Sequence, residues 1–271
     1  MTIIERLQQH KDLQPYKIAL IVDEEQYTYG QLYDAIISME FNNTSRIINL
    51  GQFNDGQKNK VLLIQSLSFV EQLLQWLWGL YKGYIPMVCH NEMDVAYIDE
   101  LARIISVEGV PTSADFGVLT SGTTGRPKPL WRSESSWREF FDIQNNIFYI
   151  NKDTKIFLHG SFSFTGVSNM VVAVLWSGGT VITTSSLRPI RWIQLIDKYH
   201  VDHIYALPTK LRLLVRHCKS KVDSINYIIA GSQVLDRQLM EQLELICPNM
   251  EFILYYGASE LNYITYCTGK E

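Results

Sequence analysis

The sequence contains no run of 18 or more uncharged apolar residues, so nothing in it reads as a membrane-spanning helix. It also lacks cysteines paired at short spacing. Cys89, Cys218, Cys247 and Cys267 are scattered, which excludes a zinc-ligand pattern and a disulfide framework and leaves reduced, mostly buried thiols. Neither sign of charge dominates: 24 Lys and Arg stand against 28 Asp and Glu, net −4. That balance excludes the basic footprint of a nucleic-acid binder or a strongly basic membrane face. Residues 1–11 carry charges from the start and have no apolar stretch of the secretory-leader kind, so the expected compartment is the cytoplasm. Repeats and low-complexity tracts are missing as well. What is present is an apolar share of 46% over 271 residues, enough for a large core and one or two domains. The 15 Tyr and 6 Trp are core and pocket material.

Apolar periodicity gives an alternating pattern. Strands are expected at 17–22, 26–28, 60–65 and 85–89, with helices from Tyr29 to Met39, over 68–81 and over 93–106. In the helix over 68–81, Phe69, Leu73, Trp76, Leu77 and Leu80 recur at helical spacing, and Gly83 stops it. Residues 42–59, rich in Asn, Gly and Gln, read largely as turn and loop. Further on, strands at 116–119, 155–158, 180–183, 203–206, 225–230 and 251–255 alternate with helices at 137–148, 166–176, 191–199, 209–217 and 235–246. Such alternation predicts an α/β fold of mostly parallel sheets covered by helices. Ligands of such sheets bind beyond the carboxyl ends of the strands. The loops after Leu119, Ala230 and Tyr256 are all expected on that edge, which would bring three candidate sites together.

The densest chemical signal is Leu119-Thr120-Ser121-Gly122-Thr123-Thr124-Gly125-Arg126-Pro127-Lys128, which follows the apolar strand at 116–119. Gly122 and Gly125 let backbone N–H groups turn toward one point. The hydroxyls of Thr120, Ser121, Thr123 and Thr124 add donors, and Lys128 adds a point charge. The combination suits a polyphosphate. It is not a Walker A loop, which needs Gly-Lys-Ser/Thr after a longer glycine spacing.

This run resembles the phosphate-binding signature of the adenylate-forming superfamily, which holds acyl-CoA synthetases, adenylation domains and luciferases. Every position from Thr120 to Lys128 fits its Thr-Ser-Gly-Ser/Thr-Thr-Gly-x-Pro-Lys pattern. Tyr256-Gly257-Ala258-Ser259-Glu260 resembles the superfamily's Tyr-Gly-x-Thr-Glu, in the expected order, with Ser for Thr. Thr28, Tyr29 and Leu32 match the start of its first helix. The segment Ile228-Ile229-Ala230-Gly231-Ser232-Gln233-Val234-Leu235 matches its strand and glycine turn, with Gln233 where Glu is usual.

The resemblance implies roles. Thr120, Ser121, Gly122, Thr123, Thr124, Gly125 and Lys128 would bind the β- and γ-phosphates of ATP. Gly231, Ser232, Gln233, Tyr256, Gly257 and Ser259 would bind the nucleotide, Tyr256 against adenine and Ser259 near the α-phosphate. Glu260 would hold Mg2+, which a carboxylate beside a triphosphate needs on electrostatic grounds too. In the stretch from His159 to Gly166, Phe164 takes the position of the acyl gate, and His159 is read as structural. Thr165, Val167 and Val171 would line the acyl pocket with Phe164. Thr165 stands where amino-acid adenylation domains place an Asp for the substrate ammonium. That tilts the substrate toward a fatty or aryl acid.

The implied reaction is ATP-dependent activation of a carboxylic acid to an acyl-adenylate, followed in the full-length enzyme by thioester formation with CoA. Two other readings stand beside it: a non-catalytic remnant acting as a binding or interaction module, and an adenylation domain that loads an acyl carrier protein. Past the Glu motif the superfamily carries a ribose-gripping Thr-Gly-Asp, a hinge and a small domain with a catalytic Lys. No Lys of this chain matches that one. The expected organisation is therefore a partial first α/β subdomain over 1–110 and a truncated second one over 111–271, with the phosphate loop and nucleotide site. The C-terminal mobile domain would be absent, with little activity expected from this chain alone.

Overall fold

The computed structural model describes residues 1–40, 45–50, 60–120, 126–231, 233 and 236–269. Among these the elements run in chain order as follows. The first part holds α1 (Ile3–Leu13), β1 (Ile18–Val22), β2 (Glu25–Thr28), α2 (Tyr29–Ser38), β3 (Arg46–Asn49), β4 (Lys60–Ile64), α3 (Phe69–Tyr81), β5 (Ile85–Val88) and α4 (Val95–Glu108). Next come β6 (Phe116–Leu119), β7 (Pro129–Arg132), α5 (Ser135–Ile147), β8 (Lys155–Leu158), α6 (Thr165–Ser177) and β9 (Thr180–Thr183). The last part holds α7 (Pro189–Lys198), β10 (His203–Tyr205), α8 (Pro208–His217), β11 (Tyr227–Gly231), α9 (Arg237–Ile246), β12 (Glu251–Ala258) and β13 (Asn262–Thr268).

The chain forms two compact units that interleave along the sequence. One comprises Met1–Lys17, Thr28–Phe140 and Gly160–Val172; the other comprises Ile18–Tyr27, Phe141–His159 and Ala173–Glu271. The sequence reading divides the chain once, near residue 110. In the structure the chain enters each unit three times, because crossover connections let distant segments join one sheet.

In the first unit a five-stranded sheet has the order β3-β4-β5-β6-β7. β4, β5 and β6 run parallel, and the two edge strands are antiparallel to their neighbours. α4 covers one face: its Ile98, Leu101 and Ile105 pack with Val61, Leu63, Ile85 and Met87. Trp76 of α3, Phe116, Trp137 and Phe162 form a second, aromatic cluster, with ring centroids 4.6 to 6.1 Å apart. The helix starts are chemically specified. Thr2 with Glu5 and Thr28 with Gln31 each form a reciprocal capping box, which meets two otherwise unpaired N–H groups at α1 and α2.

In the second unit an eight-stranded sheet has the order β13-β12-β11-β10-β8-β9-β1-β2. From β12 through β1 every pairing is parallel, and β13 closes one edge antiparallel to β12. Buried residues of α7, α8 and α9, among them Trp192, Leu195, Leu211 and Leu239, pack on Ile182, Ile204, Ile228 and Ala230 of the strands. An α/β architecture with mostly parallel sheets under helices is thus borne out.

Four elements depart from the sequence reading. α1 is a helix whose Thr-x-x-Glu start was there to be read. β3 lies inside the stretch assigned to turn and loop, because two apolar residues, Ile47 and Ile48, pair with β4 in a polar surrounding. β7 and β13 are edge strands whose pairing is set by the sheet they join. The expected common ligand edge is corrected as well. β6 belongs to the five-stranded sheet, whereas β11 and β12 belong to the eight-stranded one. Alternation fixes which segments are strands, not which sheet each strand enters.

Candidate functional site

The base of the loop from Thr120 to Lys128, a candidate phosphate site, is a hairpin neck between β6 and β7, with Leu119 opposite Pro129. Thr120 is tied to Lys128 twice. Its N–H donates to the Lys128 carbonyl at 3.0 Å, and its Oγ1 accepts from the Lys128 N–H at 3.1 Å. Ser121, Gly122, Thr123, Thr124 and Gly125 lie outside the described residues. The descending limb is held by α4. The Tyr97 hydroxyl donates to the Pro127 carbonyl, Arg126 pairs with Glu100, and the Arg126 guanidinium lies 5.0 Å from the Tyr97 ring centroid. Lys128 is exposed, and none of the described carboxylates is in ion-pair reach of it. Its charge is therefore free for an anion.

The segment around Phe164, the candidate gate in the same unit, sits on a polar scaffold from α3. Gln72 is fully buried, and its Oε1 accepts from the Ser161 hydroxyl at 3.1 Å and the Phe162 N–H at 3.0 Å. Its Nε2 donates to the Ser66 carbonyl and to Asn91. Ser161 and Ser163 hydroxyls lie 2.9 Å apart, and Ser163 Oγ lies 2.9 Å from His90 Nδ1. Phe164 is 45% exposed and stacks on the His90 ring at 4.8 Å. His90 is buried and its Nε2 makes no hydrogen bond of good geometry. Burial lowers its pKa, against smaller opposing effects from Glu92 and the Thr120 backbone. No sequence motif marks His90, because only the fold brings it to Phe164. Thr165 opens α6, Val167 is half-buried, and Val171 is sealed from solvent.

In the second unit β11 ends at Gly231, which the Tyr255 ring covers. A Cβ at Gly231 would lie 2.6 Å from a ring carbon of Tyr255, so any larger residue must displace that ring. Gln233 is exposed, and Ser232 lies outside the described residues. The strand read as ending at Tyr255 continues to Ala258 and turns back through residues 259–261 into β13. A register shift at Tyr256 and Gly257 interrupts the ladder and re-aims the chain. Gly257 is required there too, since a Cβ would meet the Asn262 carbonyl at 2.6 Å. Tyr256 is 63% exposed, Ser259 is half-buried, and Glu260 sits exposed in the turn with no cation among the described residues in ion-pair reach.

A family profile described as AMP-binding enzyme matches residues 111–271, more than half of the chain. The chain belongs to the AMP-binding enzyme family. It is 25% identical over 281 aligned residues to VraA of Staphylococcus epidermidis, whose name describes a long chain fatty acid-CoA ligase. That alignment takes in 97% of this chain and 60% of the relative. Among solved structures, O-succinylbenzoate coenzyme A synthetase (MenE) of Bacillus subtilis, in complex with ATP and magnesium, superposes with a TM-score of 0.78 at 15% identity. Here 98% of this chain and 62% of that one are covered. VinN in complex with L-aspartate gives 0.77 at 12% identity, over 98% of this chain and 78% of that one. The fold is shared with these enzymes. The chain spans about 60% of the length of the curated relatives it matches.

Within this family fold His159 is held as a neutral group. Its ring packs 4.5 Å from that of Trp192, its carbonyl accepts from the Lys210 ammonium, and its Nδ1 is buried without a hydrogen bond. Burial and then the Lys210 charge bring its pKa down to about 4. Among the described residues no group of three or more His, Cys, Asp or Glu could cage a metal, and no helix is long and apolar enough to cross a membrane. A lone carboxylate such as Glu260 still fits Mg2+, which commonly takes one or two carboxylates and fills its shell with phosphate oxygens and water.

Proposed function

We propose that this chain supplies the ATP- and acid-binding part of an AMP-forming acid–thiol ligase. The carrying observation is the double tie between Thr120 and Lys128, which closes the neck of a Gly- and hydroxyl-rich loop and uses only the Lys128 backbone, with no described carboxylate in ion-pair reach of its ammonium. In this reading the loop from Thr120 to Lys128 binds the outer phosphates, and Gly231, Ser232, Gln233, Tyr256, Gly257 and Ser259 hold the nucleotide. Glu260 would hold Mg2+, which when bound neutralises phosphate charge. The MenE complex with ATP and magnesium supports that assignment of cofactors.

The acid's carboxylate oxygen attacks the α-phosphorus in line, the bond to pyrophosphate breaks, and an acyl-adenylate remains. No general base is needed, because the attacking carboxylate is already ionised. Lys128 and the loop hydroxyls disperse charge on the leaving pyrophosphate. Phe164, Thr165, Val167 and Val171 border the acid. Thr165 supplies no negative charge for an ammonium, which favours a fatty or aryl acid over an amino acid. Thioester formation with CoA would complete the reaction of the full-length protein in the cytoplasm, and the VraA name supports CoA as acceptor.

The test is pyrophosphate release by the full-length protein from Mg·ATP with fatty, aryl and amino acids in parallel. Release that depends on a fatty or aryl acid is expected. Preferential release with amino acids would overturn the substrate class, and acid-independent release would overturn the reaction.

A further inference from the structure

Lysines of this fold are held in contrasting ways. Lys11 and Lys198 lie against carboxylates, Asp34 and Glu24, whose hydrogen bonds raise their pKa and keep them as ammonium ions. Lys210, in the first turn of α8, is half-buried, and among the described residues no carboxylate is in ion-pair reach of it. Asp236, the N-cap of α9, is taken by Arg212, two positions along from Lys210. The Lys210 amine donates to the His159 carbonyl, and no second acceptor meets it among the described residues.

The place is one where a sheet of this kind admits ligands. His159 follows the last residue of β8, and α8 follows β10, the strand beside it. From this gap the chain order runs outward both ways, to β9 on one side and to β11 and β12 on the other. Open parallel sheets take ligands outside the carboxyl ends of their strands at such a switch point. The surroundings offer the amine little negative charge. The His159 ring is neutral and packs on Trp192 of α7. Asp23, whose charge reaches His159, is engaged by Thr184 and Ser185, and Glu24 is shared by Arg191 and Lys198 of α7. A half-buried ammonium with one acceptor and no counter-charge gives up its proton more readily than an exposed one, and burial lowers the Lys210 pKa accordingly.

We propose that Lys210 is a nucleophilic lysine and a site of N-acylation by activated acyl groups, thioesters or mixed anhydrides. The free amine attacks the carbonyl carbon, and the bond from that carbon to sulfur or to a phosphate oxygen breaks. The thiolate or phosphate leaves with the electron pair, the nitrogen releases a proton to water, and an amide remains. That amide keeps one N–H, enough for the His159 carbonyl, while the positive charge is gone. The Lys210 charge is the second cause, after burial, that depresses the His159 pKa, so acylation makes the fold less sensitive to acid. Reaction at Lys210 needs no bound nucleotide and therefore stands or falls apart from acid activation.

The test incubates the protein with acetyl-CoA or with acetyl phosphate near neutral pH and follows each lysine by peptide mass spectrometry. With at least one donor, Lys210 should be acetylated about threefold or more faster than Lys11 and Lys198, and the donor that succeeds names the class. Lys198 is exposed, so slower labelling there is not steric. In concentrated urea the preference should vanish, because unfolding removes the burial that sets it. In the folded, acetylated protein the loss of stability between pH 7.5 and 4.5 should shrink relative to the untreated protein. Labelling of Lys210 no faster than of Lys11 and Lys198 with both donors, or a preference that persists in urea, would overturn the proposal. An unchanged pH dependence after acetylation would overturn the link to His159.

Discussion

Acid should weaken this fold through His159, and the size of the effect follows from its surroundings. Burial and then the Lys210 ammonium bring the imidazole pKa down from its usual 6.5 to about 4. The folded value is the lower one, so as pH falls the unfolded chain takes the proton first. The stability held by the neutral ring is complete above pH 6.5 and is lost as pH drops from there toward about 4. At about 1.36 kcal/mol per pH unit the gap sets a ceiling of roughly 3 kcal/mol. The ring is only half-buried, and solvent screening reduces the expected loss to about 1–2 kcal/mol. Urea unfolding midpoints at pH 7.5, 6, 5 and 4.5, compared with those of His159→Leu, isolate this contribution. His90 titrates in both proteins, so its effect cancels in the difference. The wild type should lose about 1–2 kcal/mol more than the variant over that range. Lys210→Met should shrink the loss by removing the repelling charge. Equal pH slopes for the wild type and His159→Leu would refute the reasoning.

Gln72→Leu should cost about 2–4 kcal/mol in urea unfolding, because the buried Phe162 N–H and the Ser161 hydroxyl lose their acceptor together; a cost under about 0.5 kcal/mol would show that water replaces the amide. Gly231→Ala should lower stability by about 1–3 kcal/mol, since its Cβ must displace the Tyr255 ring. A thermal melt unchanged from wild type would mean that the ring is free to move.

Much of the fold was legible because its signals are local. The helix over 68–81 shows its apolar face at regular spacing, and each parallel strand from Lys155 onward is a short apolar run between helices. What escaped depends on partners far along the chain. β3 and β13 are edge strands that polar residues partly mask, and their identity comes from β4 and β12. Candidate site residues are legible in the sequence where the chemistry is consecutive, as from Thr120 to Lys128 and from Tyr256 to Glu260. The His90 ring under Phe164 and the Lys210 contact with His159 are not, since residues 74 and 51 positions apart meet only through the fold. His159, weighed as structural, is packed and neutral.

The central claim is that the loop from Thr120 to Lys128 binds the outer phosphates of ATP. Calorimetric titration of the wild type and Lys128→Ala with Mg·ATP and with AMP tests it most directly. Loss of one charge-assisted contact should weaken Mg·ATP binding by about tenfold or more and leave AMP binding within about twofold. Absence of Mg·ATP binding by the wild type, or equal weakening of both nucleotides by the substitution, would contradict it.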